Sequence, residues 1–114
     1  MKNNELLLKA IDSFDKFTKS QKSILTIVIE FLDENDRANI AIESIVQISH
    51  FTKAIIYRSL TKLEKSQYIT REKEPKEQIG YIRINRRELN AVVEFYTKKQ
   101  QMITKNIPKT TKNN

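Results

Sequence analysis

The chain of 114 residues contains no cysteine. Disulfides and thiolate metal sites are therefore excluded, and a reducing cytoplasm is the expected location. The one histidine, His50, has no cysteine or second histidine to share a metal. Metal clusters and familiar nucleophile–base pairs both lack their parts, so His50 reads as a turn or packing residue. The one glycine, Gly80, leaves no phosphate-cradling glycine-rich loop. No apolar run is long enough to span a bilayer. Leu6-Leu7-Leu8 is followed at once by Lys9 and Asp12, unlike a secretory leader. The carboxylates gather mainly in 33–37 and 72–77, which look like exposed loops. No enzyme activity, cofactor, metal or membrane partner is expected.

What is abundant is positive charge, and it is unevenly placed. The net charge is +7. Residues 1–52 carry 6 basic and 8 acidic side chains, net −2, whereas 53–114 carry 15 and 6, net +9. A basic half favours a polyanion, nucleic acid first and an anionic membrane surface second.

Hydrophobic spacing divides the chain into elements. Leu7, Ile11 and Phe14, widened by Leu8 and Phe17, give an amphipathic helix over 4–17. Thr18 and Gln21 have capping-box spacing and open a second helix over 19–33. Its run Ile24 to Leu32 is apolar nearly all round, which makes it the central core helix. The polar stretch 33–39 is a turn, 39–42 a brief strand, and 43–49 a short helix with no evident cap. After Ser66 the period becomes extended. Runs at 66–74 and 79–85 flank a polar loop, 74–78, and read as a hairpin, with Gly80 placed to allow a bulge. Asn85 and Glu88 repeat the cap-plus-three spacing before a helix to about residue 104. Its apolar side is Leu89, Val92, Val93, Tyr96 and Ile103, with Phe95 adjoining. Residues 1–105 form one domain, and 106–114 a disordered basic tail.

The stretch 52–66 is the one the rest presents. As a helix it has Thr52 at the N-cap. Ile56, Leu60 and Leu63 share one face. The other face carries Ala54, Arg58, Thr61 and Lys65, flanked by Ile55, Tyr57 and Lys62. An amphipathic surface helix with a merely solvated face divides in the same way. A helix laid in the major groove needs this division too, because Arg and Lys read guanine and small apolar groups touch thymine methyls. Arg71, Lys73, Lys76 and Arg83 then make the following hairpin basic.

Short helix, three-residue turn, helix and basic hairpin follow in that order. With the segment 48–72, they resemble the winged helix-turn-helix proteins, and within them the MarR-type regulators. The shared positions are the cap Thr52, then Ile56, Leu60, Leu63, Glu64, Tyr68 and Ile69. The match covers about residues 40–85, and the flanking helices match by type only. Two positions depart from the pattern: Ser49-His50-Phe51 replaces the usual turn glycine, and Gln67 replaces the glycine before the wing. The Asp-x-Arg pair of the family's wing is also missing, since this chain reads Arg71-Glu72-Lys73.

The resemblance implies a mainly α fold with a small β-hairpin, a winged helix-turn-helix flanked by N- and C-terminal helices. It implies a sequence-specific double-stranded DNA-binding regulator. Thr52, Lys53 and nearby amides would hold phosphates, and Ala54, Tyr57, Arg58, Thr61 and Lys62 would face base edges. Arg71, Lys73, Lys76 and Arg83 would serve the wing. Family members pair their terminal helices across a two-fold axis, so a homodimer is expected. Packing of those helices within one subunit is the alternative. Two other functions share these features: a plasmid or phage replication-initiator or architectural protein, and a winged-helix module that docks acidic proteins. No residue indicates an effector.

Overall fold

The computed structural model describes residues 4–74 and 79–111. Its elements are α1 (Glu5–Ser13), α2 (Lys19–Glu30), β1 (Arg37–Ala38), α3 (Ile42–Ser49), α4 (Lys53–Lys65), β2 (Ile69–Glu74), β3 (Ile79–Ile84) and α5 (Arg86–Thr111). The three strands form one antiparallel sheet in the order β1-β3-β2.

The core is built around α2. Ile24, Leu25 and Val28 are fully buried there, as the all-round apolar run predicts. Thr18 starts this helix with a complete capping box, accepting from the Gln21 N–H while Gln21 Oε1 accepts from the Thr18 N–H. The same core cluster takes in Leu7, Ala10 and Ile11 of α1, Ile45 of α3, Ile56, Leu60 and Leu63 of α4, and Leu89 and Val92 of α5, which packs on α1. Full burial of each large aliphatic contributes about 1.5–3 kcal/mol of transfer free energy. That common core holds α4 by its apolar face and leaves its other face to solvent.

Several boundaries differ from the expected ones, each for a local reason. Helix α1 stops at Ser13, and Phe14 turns to an extended conformation. Phe17 is itself buried in the core, and Phe14 packs against it. Their ring centroids lie 4.9 Å apart, with Phe95 at 5.8 Å from Phe14 and Tyr68 at 5.0 Å from Phe17. Helix α2 stops at Glu30, and Leu32 is drawn into a bridge with Ala38. The brief strand lies at 37–38 and not at 39–42. The Asp33 carboxylate accepts from the N–H groups of Asn35 and Arg37, which closes the turn early and delivers Arg37 and Ala38 to β3.

The hairpin register is continuous from Ile69 opposite Ile84 to Glu74 opposite Ile79. Gly80 faces Lys73 within that register, so no bulge forms there. Helix α5 runs to Thr111, past residue 104 and into the stretch expected to be a tail.

Candidate nucleic-acid interface

Helices α3 and α4 meet across His50, Phe51 and Thr52. His50 closes α3 with φ 67°, and its N–H donates to the Val46 carbonyl. That left-handed cap is the geometry glycine usually supplies. Thr52 then caps α4, its Oγ1 accepting from the Ile55 N–H at 3.3 Å. The turn therefore forms as a helix-turn-helix without glycine.

The division of α4 follows the predicted faces. Ile56, Leu60 and Leu63 are fully buried. Thr52, Lys53, Ala54, Tyr57, Arg58, Thr61 and Lys62 are exposed on the solvent side. Tyr57, at 44% exposure, offers both a ring and a hydroxyl. Lys53 approaches Glu43 of α3 at 3.3 Å, but both side chains are more than half exposed. Water screens that pair, so it holds the ammonium only weakly. Ser59, buried between the two faces, bonds Ser20 of α2 at 2.6 Å and pins the middle of α4.

The wing cations separate into two groups. By the register, Ile69, Arg71 and Lys73 share one face of the hairpin with Gly80, Ile82 and Ile84. Tyr57, Arg71 and Lys73 line a cleft of about 530 Å³ with the start of α3, Tyr81 and Ile82. Arg83 lies on the other face. It donates to the Glu72 carboxylate at 2.8 Å and to the Asn35 carbonyl at 2.8 Å. On that face the Arg37 guanidinium stacks 4.6 Å from the Tyr81 ring centroid. Arg83 is therefore not brought together with the α4 residues; it braces the hairpin against the 33–38 turn. Lys76 lies outside the described residues.

Arg71 is also engaged. Its Nε and Nη2 donate to Glu64 Oε1 at 3.1 and 2.7 Å. This hydrogen bonding holds the Glu64 carboxyl below the usual carboxylate range, and Arg83 does the same to Glu72. Burial pushes the Tyr68 hydroxyl above its ordinary value. Residue spacing did not reveal these partners, although Glu64 stands in the pattern that carried the resemblance. A larger hollow of about 800 Å³ has five carboxylates (Glu5, Glu30, Asp33, Glu34 and Asp36) against one cation, Arg86. Its charge does not suit a polyanion.

No protein-family model matches the chain, and no curated protein matches it in sequence. Among solved structures, a mutant of S. aureus MepR bound to an oligodeoxyribonucleotide superposes with a TM-score of 0.59. The alignment covers 91% of this chain and 77% of that one at 14% identity. The chain has the winged helix-turn-helix fold. In its terms α3 and α4 are the helix-turn-helix, β2 and β3 the wing, and α1 and α5 the flanking helices. Among the described residues, no helix is long and apolar enough to cross a membrane.

Proposed function

We propose that this chain is a MarR-like, sequence-specific regulator of transcription that inserts α4 into the major groove of duplex DNA. The observation that carries the reading is the outward face of α4. Ala54, Tyr57, Arg58, Thr61 and Lys62 are all exposed on a helix whose other face is locked in the core. That helix also begins the basic half of the chain. Similarity to a winged-helix protein bound to an oligodeoxyribonucleotide supports the same reading.

In this scheme Thr52, Lys53 and the first amides of α4 hold phosphates. Arg58 and Thr61 face base edges with Tyr57 and Lys62 beside them, and Ala54 meets a thymine methyl. Lys73 extends the contact along the backbone. The protein acts as a homodimer through α1 and α5. Leu6, Phe95, Met102 and Ile103 are 50%, 52%, 64% and 42% exposed on these helices. A helix of 26 residues is roughly 39 Å long and carries that apolar surface beyond its own core. Dimer symmetry then sets two half-sites about one helical turn apart.

The test is a pair of alanine variants. Arg58→Ala costs about 1–3 kcal/mol on the cognate site and relaxes specificity. Lys73→Ala weakens all sequences alike and lowers the salt slope by about 1. Equal loss on cognate and random duplexes from Arg58→Ala would rule out a base-reading role.

A further inference from the structure

Winged-helix binding needs the wing and α4 to address the same duplex, so their relative angle matters as much as either surface. The junction between them is closed by backbone bonds. The Gln67 N–H donates to the Glu64 carbonyl and the Tyr68 N–H to the Leu63 carbonyl, both at 3.0 Å. Asn85 adds its N–H to the Tyr68 carbonyl at 2.8 Å and its Nδ2 to the Gln67 carbonyl at 2.9 Å.

These contacts fix the root of the hairpin, not its reach. Beyond the root the inward face is anchored by Ile69, Ile82 and Ile84, all buried. Further out, among the described residues, that face offers Lys73 and Gly80, which supply no apolar anchor. Arg71 stands between these zones, opposite Ile82. There Glu64, on the last turn of α4, accepts from Arg71 Nε and Nη2 and lies 3.4 Å from the Arg71 backbone nitrogen. This side-chain tie from α4 reaches further along the wing than the backbone bonds of the junction.

We infer that Glu64 is a positioning residue for DNA recognition, fixing the angle between the wing and α4 through Arg71 without touching the duplex itself. The inference rests on the DNA-binding reading of the preceding section. A carboxylate beside a polyanion site is repulsive on charge grounds alone, so removing it by Glu64→Gln should strengthen binding everywhere. A positioning role predicts the opposite sign on the cognate site, because the wing must then be ordered at the moment of binding.

The experiment uses the full chain, with Glu64→Gln, Arg71→Gln, the double variant, and the reversed pair Glu64→Arg with Arg71→Glu. Backbone 15N relaxation of the free protein reads the tie without DNA. The wild-type wing should show order parameters near the rigid value of about 0.85, falling toward about 0.6 in either single variant. Anisotropy titrations on cognate and random duplexes read the consequence. Glu64→Gln should lower the cognate-over-random ratio about tenfold, and the double variant should be no worse than the worse single. The reversed pair keeps the net charge and should restore most of the ratio. An unchanged ratio in Glu64→Gln, or tighter binding to both duplexes, overturns the positioning role while the wild type still discriminates. A rigid wing with no rescue by the reversed pair makes Arg71 a direct DNA contact and overturns it equally. A wild type that discriminates no duplex overturns the DNA-binding reading itself, and the role of Glu64 falls with it.

Discussion

His50 and Gln67 stand where the resembling family has glycine, and both adopt left-handed backbone, with φ 67° and φ 68°. For an L-residue that conformation costs about 1–2 kcal/mol, which glycine avoids. Glycine in turn loses more freedom on folding, and that offsets part of the gain. Each of His50→Gly and Gln67→Gly is therefore expected to stabilise the fold by about 0.5–1 kcal/mol. Both side chains are exposed, and the bonds made at these positions are backbone ones that glycine retains: His50 N–H to Val46, Gln67 N–H to Glu64, and Asn85 to the Gln67 carbonyl. The two sites lie at opposite ends of α4, so their effects should add. Urea unfolding of the single and double variants provides the assay, with a midpoint rise at unchanged slope as the expected result. Ser49→Gly, one position earlier and inside α3, is the control and should destabilise by about 0.5–1 kcal/mol. Destabilisation by His50→Gly and Gln67→Gly would refute the reasoning, since it would mean that these side chains hold the turns in some way other than backbone geometry.

Two further predictions concern what holds α4 in place. Ser59→Ala should cost about 1 kcal/mol by breaking the bond to Ser20, and adding Ser20→Ala should cost little more. Simple additivity in that double-mutant cycle, read by urea midpoints, would show that the two hydroxyls act independently. The second concerns acid. Asp33 is held below the ordinary carboxylate range by the Arg37 backbone N–H, and Glu64 and Glu72 by the Arg71 and Arg83 guanidiniums. The unfolded chain therefore takes up protons first. Their stabilisation is complete above the ordinary carboxylate values of about 4 and is lost as pH falls through the lower folded values. Urea midpoints followed through that acid range should drop in the wild type and drop less in Glu64→Gln. An equal drop in both would remove Glu64 from the account.

Much of this was legible in the residues because it is local. The 3.6-residue period fixed which face of α4 is buried, and the spacing of Thr18 to Gln21 fixed a capping box that forms atom for atom. The extended period after Ser66 gave the hairpin. What escaped depends on residues far apart in sequence. Phe14 and Phe17 look like a continuing helical stripe, yet they sit in a turn, where Phe17 enters the core beside Tyr68 and Phe14 packs on Phe95. The first strand was displaced because the Asp33 side chain closes its turn, a choice that hydrophobic spacing does not record. The wing arginines all read as free cations. Only the register separates Arg83, on the outer face with Glu72, from Arg71 on the inner face with Glu64. A charge count along the chain cannot make that distinction, because it depends on which face of a strand each side chain leaves.

The central claim is that α4 reads duplex sequence. The most direct test is fluorescence anisotropy of the wild-type protein against the duplexes that flank its own gene and against a randomised library, across a salt series. The account predicts one flanking site bound about 10³-fold or more tighter than the library and still held at salt that strips the library. Equal binding to both, falling together and steeply with salt, would contradict it and leave only a basic surface attracted to polyanions.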